Sequence, residues 1–237
     1  MSLSLKLKKI FNKFGYDIKK YHPFYETLVN PLGIKTILDI GANDGVYAQE
    51  MTFMFPEARI YAFEPLQDCF KRLSEVSKQY PSIVPLPYAL GNHEGKETIQ
   101  KSTFHPSSSL LKMTDLHTNL FPKTKGSTEE KIEIKKLDPL ENELEIKLPF
   151  FVKIDVQGYE DKVIEGGVKT LKKASLVLIE TSYVELYKGQ PLTSDIIIKM
   201  KEIGFNYFGS AHTHYNNNDG KPLYEDSIFI NTNTIAN

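Results

Sequence analysis

Residues 38–47 read Leu38-Asp39-Ile40-Gly41-Ala42-Asn43-Asp44-Gly45-Val46-Tyr47. An apolar run that begins at Thr36 ends here in a cluster of small residues, and a helical stretch starts near Val46. Small side chains let a backbone turn sharply from strand to helix, and let a ligand approach it without meeting Cβ atoms. The stretch therefore reads as the first strand-turn-helix of a doubly wound α/β sheet, with a ligand lying across the turn.

Outward from the turn, short apolar runs alternate with amphipathic stretches, which predicts a largely parallel sheet covered on both faces. Strands are expected over 36–40, 59–64 and 83–90, then over 150–156 and 175–180. A helix is expected to start at Pro65, with Leu66, Phe70, Leu73 and Val76 at helical spacing; the single cysteine, Cys69, falls beside this stripe and reads as core. Val163, Ile164 and Leu171 mark another helix. A third is expected over 194–203, capped by Thr193 or Ser194 and ended by Gly204. The runs 205–209 and 227–232 are joined by a polar loop and no helix, so they are expected to close the sheet as an antiparallel pair. Residues 102–130 break the rhythm with His105, Pro106, serines 107–109 and Pro122. They read as an irregular insertion, either a substrate lid or surface decoration.

The second strand ends at Glu64, 23 residues beyond Gly41. That is where a doubly wound fold places the carboxylate that accepts hydrogen bonds from a ribose diol. The dinucleotide fingerprint asks for G-x-G-x-x-G, whereas this turn is Gly41-Ala42-Asn43-Asp44-Gly45. Asn43 and Asp44 bring side-chain acceptors where a pyrophosphate needs donors, and an amino-acid-bearing sulfonium has an ammonium group to receive them. The turn thus favours S-adenosylmethionine over NAD.

A chain of 237 residues suits one α/β domain over 31–237 with a short extension over 1–30. In that extension Leu3, Leu7, Ile10, Phe11 and Phe14 face one side of a helix and Lys6, Lys8, Lys9 and Lys13 mostly the other. Such a helix packs on its own domain or contacts a membrane surface through 1–20. A formal net charge of -1 argues against a general nucleic-acid binder. One cysteine, no apolar run near the roughly 20 residues of a membrane span and no secretory leader pattern lead to a cytoplasmic expectation.

Four stretches together resemble the FkbM-type methyltransferases of the class I S-adenosylmethionine-dependent superfamily: 38–47, Ala62-Phe63-Glu64-Pro65, Ala89-Leu90-Gly91, and Val152-Lys153-Ile154-Asp155-Val156-Gln157-Gly158-Tyr159-Glu160. The resemblance runs from Thr36 to about Leu171. It implies a Rossmann-like seven-stranded sheet with an antiparallel last strand, helices on both faces, and S-adenosylmethionine across the first two strand ends. It also implies O-methylation of a sugar, glycan or natural-product hydroxyl. Gln157 departs from the glutamate the family commonly carries in this motif, which leaves a proton-transfer or metal role there in doubt.

Cofactor contacts are expected from Asp39, Gly41, Ala42, Asn43, Asp44, Gly45, Tyr47, Glu64 and Asp155. Methyl transfer to a hydroxyl needs in-line alignment and a proton acceptor. Asp155 at a strand end, Glu180 closing the next strand and His212 in the final loop are the candidates. Lys153, Ser108 and Ser109 are candidate acceptor contacts. His212 and His214 alternate in a way that can present two rings to a metal, but two histidines in a polar loop are more often solvated, and no metal is assigned. Methylation of a carboxylate, amine or base, a cofactor-binding module without catalysis, and an NAD-linked oxidoreductase stay open as alternatives.

Overall fold

The computed structural model describes residues 28–232. The basic amphipathic helix expected at the N-terminus lies outside them. In chain order the elements are β1 (Thr36–Ile40), α1 (Val46–Met54), β2 (Arg59–Phe63), α2 (Gln67–Gln79), β3 (Ile83–Leu86), β4 (Ala89–Leu90) and β5 (Gly95–Ser102). There follow α3 (Asp115–Leu120), β6 (Ser127–Lys135), α4 (Leu137–Leu140), β7 (Phe150–Ile154), α5 (Glu160–Gly166) and α6 (Val168–Leu171). The chain continues through β8 (Leu176–Ser182), α7 (Thr193–Glu202), β9 (Phe205–Tyr215) and β10 (Pro222–Asn231).

Seven strands form one sheet in the order β3-β2-β1-β7-β8-β10-β9. Neighbours from β3 to β8 are parallel, and β10 runs antiparallel to both β8 and β9. The central strands are apolar throughout because both faces are covered. On one face Leu38 and Ile40 join Val152, Ile154, Val163 and Ile164; on the other Ile37 joins Phe151, Ala48 and Met51. Each such valine, leucine, isoleucine, phenylalanine or methionine stabilises the fold by about 1.5–3 kcal/mol. The crossover at β1 leaves β1 and β7 adjacent, so the turn after β1 and the loop after β7 meet at one sheet edge.

The structure departs from the sequence expectations in several places; among them, the helix expected around Val163 and Leu171 is two, α5 and α6, and the last strand, expected over 227–232, starts at Pro222. The run 83–90 is not one strand: β3 ends at Leu86, and β4 pairs with β6 in a second sheet ordered β4-β6-β5. Pro87, which has no N–H for a ladder, stands at the break. Residues 102–130 are also more regular than expected, since they hold α3, two 3-10 turns and the first residues of β6. β9 reaches Tyr215, so His212 and His214 lie on a strand and not in a loop. The second helix starts at Gln67 rather than Pro65, because the Leu66 amide is held by the Glu64 carboxylate. Finally, α7 starts at Thr193, and Asp195 reaches back to accept from the Leu192 amide at 2.9 Å; Gly204 follows its end as expected.

Candidate active site

The turn after β1 is built around a close approach. Gly41 has φ +85, and a Cβ there would lie 1.9 Å from the Asp155 carbonyl oxygen, so β1 and β7 can end side by side only with glycine at this position. The amides of Gly41 and Ala42 both donate to the Phe63 carbonyl, at 3.1 and 2.9 Å, which ties the turn to the end of β2. Asn43 takes a left-handed conformation, φ 49, and aims its own amide at Glu64 Oε2, 2.9 Å away. Glu64 Oε1 accepts from the Leu66 amide at 2.8 Å. Each carboxylate oxygen keeps a further lone pair, and burial pushes the Glu64 carboxyl up to about 7 against the pull of these two amides.

These residues open onto a cleft of about 720 Å³. Gly41, Ala42, Asn43, Asp44, Tyr47, Glu64 and Asp155 line it, whereas Asp39 and Gly45 do not. Asp39 lies beneath the floor, fully buried and opposite Lys153 in the β1–β7 register, with its Oδ1 3.7 Å from Lys153 Nζ. Burial pushes the Asp39 carboxyl up to about 6 even though Lys153 pulls it down. Burial disfavours the Lys153 charge, but Asp155 and Asp39 outweigh it and raise its pKa. Farther along, Pro65, Leu66, Ala89 and Leu90 give the cleft an apolar wall beyond Glu64.

Among the described residues, buried side-chain polar atoms without a hydrogen-bond partner occur on Asp39, Asn43 and His117. Asp39 lies beneath the floor beside Lys153, whereas Asn43 lines the cleft with its Oδ1 unpartnered. An orphaned acceptor at a cleft suits a ligand that donates hydrogen bonds, and Glu64 suits a diol. The set fits S-adenosylmethionine, whose ammonium group and ribose diol both donate hydrogen bonds and whose adenine is largely apolar.

At the far end of the cleft stands an acidic cluster pinned by one amide. Gln157 Nε2 donates to Asp155 Oδ1 at 2.8 Å and to Glu180 Oε1 at 2.7 Å, while its Oε1 accepts from the Tyr187 hydroxyl at 2.7 Å. Gln157 has φ 57 and is, with Asn43, one of two non-glycine residues with positive φ among those described; both lie in the cleft wall. Lys153 Nζ bonds the other Asp155 oxygen at 3.1 Å. Glu160 caps this turn by accepting from the Val156 and Gly158 amides at 3.2 and 3.0 Å, and burial pushes it up to about 7. Glu180 is raised well above the ordinary carboxylate range by burial, then by Asp155 and Glu160.

The remaining expected residues divide. Ser108 lines the cleft, but its hydroxyl accepts from the Ser102 amide. Ser109 is buried and donates to the Gln157 carbonyl at 2.6 Å, so it braces the loop below. Both serines hold the insertion in place. Lys153 lines the cleft with its ammonium committed to carboxylates. His212 stands on exposed β9 at the rim, with its ring 4.4 Å from that of His214. Cys69 is buried and its thiol is pushed up to about 12, chiefly by burial, in keeping with core packing.

Sequence reading missed Tyr187 and Asp226, which the 183–192 loop and β10 bring to the cluster. No local signal marks them. Gln157 was noticed only as a departure, although its flanking Asp155 and Gly158 do announce a tight turn at a strand end.

A glycine turn after β1, a clasped carboxylate after β2 and a reversed last strand in this order define a class I S-adenosylmethionine-dependent methyltransferase. Residues 39–207 match the model of the methyltransferase FkbM domain, and the chain belongs to the FkbM methyltransferase family. It is similar to the hexuronic acid methyltransferase AglP of Haloferax volcanii, 32% identical over 145 residues that make up 60% of this chain and 54% of the relative. It is also similar to the 2-O-methyltransferase NoeI of Sinorhizobium fredii, 28% identical over 165 residues, 65% of this chain and 66% of the relative. The chain thus spans about half the length of the first and about two thirds of the second. The crystal structure of the methyltransferase FkbM from Methylobacillus flagellatus shares the fold, with a TM-score of 0.51 and 13% identity over 84% of this chain and 44% of that one.

Proposed function

We propose that the protein transfers the methyl group of S-adenosylmethionine to a sugar hydroxyl. The observation that carries this reading is the single cleft with Glu64 at one end and the Asp155–Gln157–Glu180 cluster at the other. The hexuronic acid and 2-O specificities in the names of its two relatives agree with it. Bound S-adenosylmethionine supplies an electrophilic methyl carbon on a positively charged sulfur.

The work of the chain is then to bind, orient and deprotonate. Glu64 would accept from the ribose hydroxyls of the bound cofactor, and Asn43 Oδ1 from its ammonium group. Lys153 and Gln157 both donate to Asp155, one to each oxygen, and fix its orientation at the cleft. Glu180 takes the acceptor proton: burial and neighbouring carboxyls raise its proton affinity, and its second oxygen is not engaged by Gln157. The segment 102–126, braced by Ser108 and Ser109, covers the cluster as the lid.

Purified protein incubated with methyl-labelled S-adenosylmethionine and a panel of neutral and acidic methyl glycosides is expected to place label on a glycoside oxygen. Glu180→Gln should lower kcat by roughly 10²–10⁴-fold with cofactor affinity unchanged, and Glu64→Ala should weaken cofactor binding. Saturable cofactor binding without label in any glycoside would refute a sugar acceptor, and absence of cofactor binding would refute methyl transfer.

A further inference from the structure

A second cavity of about 500 Å³ lies on the other side of the acidic cluster and shares Pro106, Asp155, Gln157 and Glu180 with the cofactor cleft. We propose that this cavity, walled by Phe104, His117, Phe121, Tyr187 and Tyr224, seats the ring of the methyl acceptor and selects an uncharged, hydroxyl-bearing ring over an acidic one. The inference rests on the methyl-transfer reading above and adds where the acceptor binds and of what charge it is.

Position is the first argument. The shared wall contains Glu180, so a ring seated in the second cavity turns its hydroxyls toward the proton acceptor and the cofactor cleft behind it. The volume lies within the ~300–1,000 Å³ typical of small-molecule sites. Lining chemistry is the second. His117 meets Phe121 and Tyr187 edge to face, with ring centroids 5.2 and 4.8 Å apart, and Phe104 and Tyr224 add further aromatic surface. A saturated sugar ring has apolar C–H faces that pack on such rings, and its hydroxyl edges seek polar partners.

One such partner is waiting. His117 is buried, lines the cavity, and its Nδ1 has no hydrogen-bond partner. Burial lowers its proton affinity, so the imidazole is neutral at neutral pH. The other ring nitrogen donates to the Leu186 backbone, which leaves Nδ1 an acceptor that a hydroxyl satisfies by donating and that a carboxylate, which only accepts, does not.

Charge is the third argument. Asp155, Glu160 and Glu180 line the cavity, and among its lining residues the one lysine or arginine is Lys123, which is exposed to solvent. The carboxylate of an acidic sugar would enter beside three carboxyl groups, where no buried lysine or arginine lines the cavity to pair it, and an exposed lysine is screened. A neutral ring meets no such penalty.

The test is saturation-transfer NMR on protein saturated with S-adenosylhomocysteine, titrated with methyl hexopyranosides and with the methyl glycoside of a hexuronic acid. Neutral glycosides should bind at least tenfold more tightly than the acidic one. Phe104→Ala and His117→Ala should each weaken them severalfold, with S-adenosylhomocysteine affinity by calorimetry unchanged. Phe104 is half-exposed, so its truncation leaves the core intact even if the His117 variant folds poorly. Equal affinity for the acidic glycoside, or neutral binding that neither variant moves, would overturn the proposal while label transfer to a glycoside still supported methylation. No glycoside binding beside tight cofactor binding would overturn both.

Discussion

Gly41 and Glu64 stand at the centre of the proposed cofactor site, and each makes a prediction. Alanine at position 41 places a methyl group against the Asp155 carbonyl and asks an L-residue to hold φ +85. The cost is on the order of 3 kcal/mol, a drop in melting temperature of roughly 10 °C, accompanied by loss of cofactor binding. Glu64 predicts a pH dependence. Its carboxyl, pushed to about 7, must be ionised to accept from both hydroxyls of a diol. Affinity for S-adenosylmethionine should therefore rise between about pH 6 and pH 8, and calorimetry on Glu64→Gln should give weaker binding that is flat over the same range.

At the scale of elements, close packing overrides local propensity where α5 crosses the loop after β4. Gly166 sits in the last turn of α5, where alanine is ordinarily preferred by about 1 kcal/mol. A Cβ there would lie 1.8 Å from the Gly91 carbonyl oxygen. Gly166→Ala should therefore destabilise the protein by about 2–3 kcal/mol, read as a lower urea midpoint. Elements also mark where the sequence was hard to read. β5 and β6, Gly-Lys-Glu-Thr-Ile-Gln-Lys-Ser and Ser-Thr-Glu-Glu-Lys-Ile-Glu-Ile-Lys, bury only a few side chains such as Ile99, Ile132 and Ile134. A strand solvated on one face has little apolar content, so the second sheet left a weak trace. The polar β9 hid its length for the same reason, and with it the place of His212.

Across the whole molecule, buried carboxyls set the response of stability to pH. Asp39 and Asp226 are pushed to about 6, and Glu64 and Glu160 to about 7, in each case chiefly by burial. Between their ordinary values near 4 and these raised ones, the native state holds protons that the unfolded chain has released. Stability of the cofactor-free protein should consequently fall as pH rises from about 5 to about 7 and level off above. Glu160 alone accounts for on the order of 3 kcal/mol of that fall, and Glu160→Gln should flatten the melting-temperature profile accordingly.

The sequence by itself determined the parallel sheet, the turn at Gly41 and the carboxylate at Glu64. Those depend on residues close in the chain: an apolar run, a glycine where the backbone crowds, an acid at a strand end. Tertiary structure decided the acceptor side. Gln157 becomes the pin between two carboxylates only when β8 lies beside β7; Tyr187 bonds it from a loop, and Tyr224 joins the same cavity wall from a reversed strand far along the chain. His117 acquires an unpartnered nitrogen in a cavity only once α3 folds over the sheet edge. Such contacts follow from chain crossings and burial, and no local spacing of residues encodes them.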